Sequence, residues 1–309
     1  MDLSSISPTL LLAALMVAAT PIMLAAIGEL VVERAGVLNL GVEGMMITGA
    51  ICGFIVAVNT GSATLGFVGA AAGGAVLALL FGVLTQYLLS NQVATGLALT
   101  LFGIGLASLL GQGYVGVRAP SVPRIDIPLL SDIPVLGPIL FQHDPVVYLG
   151  LTLVAAVWLF LRRARSGLVL RAVGENHEAA HALGYKVIRI RLIAIAFGGA
   201  CAGLGGAYLS LVRVPQWTEG VTAGAGWIAL AIVVFASWRP GRLLVGAYLF
   251  GGITVLQLNL QAARVQIPVE VLSMSPYIVT IVALVALSAR KGRGASAPGS
   301  LGQSFHASR

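Results

Sequence analysis

The chain has 309 residues, of which 58% are hydrophobic and only 9% charged, with a formal net charge of +7. That balance excludes an ordinary water-soluble domain, in which roughly a quarter of the residues are charged. A polytopic, all-α membrane protein remains, and the positive charge has to be explained within it.

In chain order, nine apolar segments are candidate spans: residues 8–28, 42–58, 65–89, 93–110, 146–161, 192–212, 224–238, 243–260 and 274–289. Crossing about 30 Å of hydrocarbon takes about 20 residues of helix. The first segment has no basic residue ahead of its apolar run and no small-residue cleavage site, so it is expected to stay attached. After it comes the run ERAGVLNLGVEGMM, Glu33 to Met46. Gly36, Gly41 and Gly44 can interrupt a helix there, while Asn39 and Glu43 carry polar groups to membrane depth, where such groups face protein or a wet cavity. Capping a broken helix is the first role expected of Asn39 and Glu43; lining a translocation path is the second. Glu29 is a candidate partner for Arg34. Gln86, Asn91 and Gln92 fall near a span boundary and read as interfacial, whereas Gln257 and Asn259, near the outer end of the eighth span, are candidate path residues.

Residues 111–145 form a connection punctuated by Pro120, Pro123, Pro128, Pro134, Pro138 and Pro145, which disfavours a continuous helix and suits a cover or a docking surface. The next distinctive stretch is residues 171–191, RAVGENHEAAHALGYKVIRIR, a charged amphipathic island between apolar spans. Asn176 is placed to cap a short helix, Glu178, Ala179 and Ala180 form its body, and Gly184 ends it. The tail at 290–309 is basic and rich in Gly and Ser, so disorder without a functional site is the expectation.

Lys and Arg are distributed unevenly among the connections. With the N-terminus outside and the C-terminus inside, 14 of the 18 fall on the inner side and only Arg118, Arg124, Arg213 and Arg264 on the outer. This bias sets the expected orientation and puts the Glu178 helix in the cytoplasm. The net charge therefore reports topology. Nucleic-acid binding is not expected, because the basic residues border spans and lack interleaved aromatics.

A faint internal repeat relates Gly41-Val42, Val68-Gly69-Ala70 and Gly73-Gly74 to Gly220-Val221, Val245-Gly246-Ala247 and Gly251-Gly252. In the expected topology the copies enter from opposite sides, as in inverted-repeat transporters. The clusters Gly198-Gly199, Gly203, Gly205-Gly206 and Gly69 with Gly73 read as close helix-packing faces.

No catalytic or metal constellation emerges. The phosphate-binding pattern GxxxxGK[ST] is missing, so no ATP site or other bound cofactor is expected on this chain. Cys52 and Cys201 are isolated and read as packed thiols. His177 and His181 share a helix face but are too few for a metal site.

The segment around Glu178, EAA followed by Gly184, resembles the coupling loop of ABC importer permeases, which docks on an ATP-hydrolysing subunit. The Glu33–Met46 run resembles the signature of the branched-chain amino acid, ribose and nucleoside permease family, in its nucleoside form, and the likeness extends over about residues 28–287. His177 departs from that pattern, since relatives often carry Pro there. The resemblance implies a transmembrane permease domain over 1–289 containing the 171–191 coupling loop, in a bacterial cytoplasmic membrane. It also implies a cytoplasmic ABC ATPase that uses the ATP, a second permease chain, related or identical, and an external substrate-binding lipoprotein or periplasmic protein. Nucleosides are the expected cargo. A simple-sugar permease is the alternative, and an ion-coupled secondary carrier is the alternative from another class.

Overall fold

The computed structural model describes residues 8–126, 128, 131, 133–134, 136–262 and 297–306, with isolated helical positions at 271, 274, 278, 281, 282 and 285. Ten α-helices are defined among them: α1 (Pro8–Arg34), α2 (Val42–Thr60), α3 (Ala63–Gln86), α4 (Gln92–Gly111), α5 (Pro145–Arg163), α6 (Arg165–Glu175), α7 (His177–Ala182), α8 (Val187–Tyr208), α9 (Ala225–Phe235) and α10 (Pro240–Ala262). Local chemistry sets several starts. The Ser62 hydroxyl accepts from Leu65 N, Asn91 Oδ1 from Ala94 N, and Asp144 Oδ1 from Val146 N and Val147 N, so α3, α4 and α5 each open on a side-chain cap.

Seven helices among the described residues are long and apolar enough to cross a membrane. The seventh expected span holds α9, whose 11 residues reach roughly 16 Å and cannot cross alone. It is bounded by left-handed backbone on both sides, at Ala223 and Gly224 before it and at Ser237 and Trp238 after it. The ninth, at 274–289, lies outside the continuously described residues.

α1, α2, α3 and α8 pack together as the centre of the bundle, with α9 and α10 against α1. The α8 glycines make this approach possible. A Cβ on Gly203 would stand 2.1 Å from the Ala70 carbonyl oxygen, and one on Gly206 would stand 1.9 Å from that of Met46. Gly69 and Gly73 likewise meet Val56 and Cys52 on α2. These clusters are packing faces, as expected, because without a hydrophobic force between helices in lipid, close backbone contact supplies the attraction.

The proline-rich connection is structured where described. β1 (Ile125–Asp126) pairs antiparallel with β2 (Gln142–His143), and Ala119 N donates to Pro215 O, which ties this connection to the loop after α8. The basic residues assigned to one side do gather at one end: Arg34, Arg162, Arg171, Arg239 and Arg242 line a common cavity there. Arg124 and Arg213 line another, together with α1 residues from Leu10 to Ala18, the opposite end of that helix.

Candidate functional site

The link from α1 to α2, residues 35–41, lies largely buried, so its backbone needs partners inside the protein. Leu38 N donates to Gln92 Oε1 (2.8 Å), Gly41 N to Asn39 Oδ1 (2.9 Å), and the Thr100 hydroxyl to Leu40 O (3.2 Å). Gln92 is thus a buried structural acceptor, and Gln86, also buried, serves Arg191; neither is interfacial as the sequence suggested. Asn91 is exposed and caps α4, in keeping with a boundary.

Asn39 and Glu43 are both buried here but turn to different partners. Asn39 Nδ2 donates to Glu29 Oε2 (3.2 Å), so Glu29 pairs with Asn39 and not with Arg34. Arg34 instead donates to Trp238 O at 3.1 and 3.0 Å. Glu43, 5% exposed, accepts from Gly224 N (3.0 Å), Gly226 N (2.6 Å) and the Thr222 hydroxyl. The carboxylate meets the free N–H groups and positive dipole end of α9, which explains how so short a helix can begin without a cap of its own. Asn259 is elsewhere. It lines a cavity of about 610 Å³ at the opposite end, together with Arg124, His143, Asp144 and Arg213, while Gln257, half-buried on α10, does not line it. Nothing in the local pattern marks Asp144 beyond its place before Pro145, yet it both caps α5 and accepts from the Tyr208 hydroxyl at 2.7 Å.

The basic end carries α7. Asn176 Oδ1 accepts from Ala179 N at 2.9 Å, as its N-cap placement requires. Gly184 adopts φ +88, its N–H donates to His181 O, and Tyr185 N donates to Ala180 O, the paired bonds of a Schellman stop. Ala180 and His177 face inward. Glu178, Ala179, His181 and Gly184 face out, with Leu183 77% exposed and no neighbour within 4 Å of a Cβ built on Gly184.

The underside of α7 holds what sequence reasoning missed. Residues 297–306, expected to be disordered, are packed across it as a strap. Ser300 N donates to Gly174 O, Gly302 N to Gly36 O, and His177 N to Ser300 Oγ (3.2 Å). Phe305 is buried, with its ring 5.3 Å from that of His177 and 5.2 Å from that of His181, both edge-on. A proline at position 177 could not donate to Ser300, so the departure from the family pattern coincides with a used N–H.

Arg191, fully buried, closes the arrangement. Its guanidinium donates to Ala35 O (3.2 Å), Gln86 Oε1 (3.3 Å) and Gln303 O (3.1 Å), and lies 3.2 Å from His177 Nδ1. No carboxylate takes part, so neutral acceptors stabilise the buried charge. Burial, and then the adjacent Arg191, hold the His177 imidazole below its ordinary range, which keeps Nδ1 available as an acceptor. The sequence counted Arg191 only as a topology marker.

Residues 11–287 match the model of the family described as branched-chain amino acid transport system / permease component. The chain belongs to this family. Among its relatives is a protein of Haloferax volcanii, provisionally named a glucose ABC transporter permease, 47% identical over 82% of this chain and 78% of the relative. A guanosine ABC transporter permease of Bacillus subtilis is 32% identical over 91% of this chain and 93% of its own length. A nucleoside ABC transporter permease of Lactococcus lactis is 31% identical over 89% and 91%. This permease is therefore a multi-pass protein of the cytoplasmic membrane, and ABC permeases work with ATPase and substrate-binding partners.

Proposed function

We propose that this permease is the membrane subunit of an ATP-driven importer, that its basic end faces the cytoplasm, and that α7 seats in a groove of the ATPase. The observation that carries this reading is the build of α7: capped at both ends, exposed along Glu178, Ala179, His181, Leu183 and Gly184, and joined through His177 to Arg191. Arg191 in turn holds Ala35 O of the α1–α2 link and Gln86 of α3. A push on α7 thus reaches two central helices through hydrogen bonds, without needing a long lever. ATP is bound by the partner, and two permease chains, identical or related, frame the pathway.

Nucleosides delivered by an external binding lipoprotein or periplasmic protein are the cargo this reading favours, because the Glu33–Met46 run has the nucleoside form and relatives named for guanosine and nucleoside transport match nearly end to end. The relative named for glucose, at 47% identity, supports a simple-sugar cargo as the second reading. Thr222 lies beside Glu43, at positions that correspond in the two copies of the repeat, which is what an approximate two-fold axis passing there would produce. Engagement of Glu43 by three donors on the α9 side favours a fixed joint over the proton relay an ion-coupled carrier would need.

Uptake of radiolabelled nucleoside by vesicles carrying the whole complex tests the cargo. ATP-dependent uptake competed by other nucleosides far better than by ribose or glucose is expected. Competition by sugars alone moves the assignment to the second reading, and uptake driven by an ion gradient without ATP rejects the importer. Orientation is checked with Cys52 and Cys201 replaced: a cysteine at Ser131 should label from outside, and one at Leu183 only from inside.

A further inference from the structure

At the basic end, Arg34, Arg162, Arg171, Arg239 and Arg242 line one cavity of about 660 Å³ between the ends of α1 and α5, α6, and the start of α10. Five guanidiniums around one space repel each other unless something negative sits among them. Little does. Among the described residues the one ion pair is Arg34–Glu175, at 3.9 Å with the glutamate side chain 55% exposed, and the buried Arg171 Nε has no hydrogen-bond partner. Arg34 also lies within electrostatic range of both Arg171 and Arg239. Topology accounts for arginines at this end of the molecule, but not for their convergence on a single space.

Two further features indicate what fills it. Trp158, 43% exposed, forms part of the wall with the Arg162 guanidinium 5.3 Å from its ring, and Trp238 contributes a second indole; such rings sit at headgroup level. Deeper along α5, a separate cavity of about 260 Å³ is lined wholly by apolar side chains, including Val31, Val157, Phe160 and Phe197. A cationic chamber beside an apolar slot on the same helix matches a molecule with a phosphate at one end and a hydrocarbon chain at the other.

We propose that this cavity binds the headgroup of an acidic phospholipid, with an acyl chain lying along α5. The phosphate sits among Arg162, Arg239 and Arg242, while Arg34 and Arg171 form the back wall. The site is independent of the cargo and of how α7 works.

The test uses the purified full complex in neutral detergent, titrated with dioctanoyl phosphatidylglycerol, dioctanoyl phosphatidylcholine or inorganic phosphate and followed by its thermal unfolding midpoint. Phosphatidylglycerol should raise the midpoint saturably and at far lower concentration than phosphatidylcholine. The triple variant Arg162→Gln, Arg239→Gln, Arg242→Gln should weaken phosphatidylglycerol binding roughly a hundred-fold and leave the phosphatidylcholine response unchanged. If the triple variant does not assemble, Arg242→Gln alone, at an exposed position, should weaken it about five-fold. Equal responses to the two lipids, or variants that bind as the parent does, overturn the site. Inorganic phosphate that gives the same shift and displaces phosphatidylglycerol overturns the lipid and leaves a free-anion site.

Discussion

Two buried charged side chains hold this permease together in contrasting ways. Glu43 meets three donors that all lie between Thr222 and Gly226, so it caps a single helix end. Arg191 meets acceptors on the α1–α2 link, α3, α7 and the C-terminal strap, so one side chain joins four segments. Both charges are satisfied mainly by neutral groups, yet one arrangement is a cap and the other a junction. The difference teaches that buried charge in a membrane bundle can serve local or global order, and that the number of separate segments it touches tells which.

Breaking the junction should have the largest effect. Arg191→Met leaves the buried acceptors Gln86 Oε1 and Ala35 O without a donor, at about 1–3 kcal/mol each, releases the strap at Gln303 O, and should abolish recovery of monodisperse protein from detergent. Arg191→Lys should rescue little, because an ammonium cannot present the same fork to four partners. Full stability in the lysine variant would reduce the junction to a simple charge.

Glu43→Gln should cost less, about 2 kcal/mol, by turning an amide N–H₂ toward the α9 donors. The loss should appear as a lowered unfolding midpoint, with α9 the first segment to become protected poorly in hydrogen exchange. If α9 keeps its protection, the cap is not what starts that helix.

Phe305→Ala should loosen the strap by about 1–2 kcal/mol, less than a deep core site because the ring lies near the surface of the bundle. Membrane insertion should be unaffected while ATPase stimulation by substrate falls several-fold, a reading in which a strap without a part in coupling would show no change. Gly184→Ala should cost about 1 kcal/mol at the left-handed position, and Gly184→Asp should also suppress stimulation by adding charge to an exposed, open surface.

Acid should produce the mildest effect. The folded pKa of His177 lies below its unfolded value, so the stabilisation it gives is complete above about 6.5 and is lost as pH falls through the folded pKa. Protonation removes the acceptor facing Arg191 and sets two cations side by side, with Glu178 offering partial relief. Protease access to the strap should therefore rise below that pH and stay constant above it, and His177→Gln should flatten the profile.

Much of this could be read from the chain because it rests on short-range chemistry. Asn176 and Gly184 bound α7 through contacts no more than five residues apart, so a capping pattern suffices to place them. Apolar runs locate the spans, and two of their boundary errors share one cause: α1 extends to Arg34 and α8 begins at Val187 because Glu29, Glu33 and Arg191 are buried inside helices that a hydropathy window ends at the first charges. Gln86 and Gln92 were misplaced for the same reason, as polarity near a boundary resembles an interface until a buried partner is seen.

The sequence by itself determined the membrane class, the succession of helices, the clustering of basic residues toward one end and the short capped helix α7, since each follows from composition, hydrophobic length or a local cap. Only the tertiary structure decided that Arg191 is a junction and that residues 297–306 are a strap. The decisive bonds join residues 105, 112, 123 and 156 positions apart, across segments with no shared periodicity. A Gly- and Ser-rich tail has too little apolar surface to order itself, and it gains that order from Phe305 and a few backbone bonds once the folded helices present a surface to receive them.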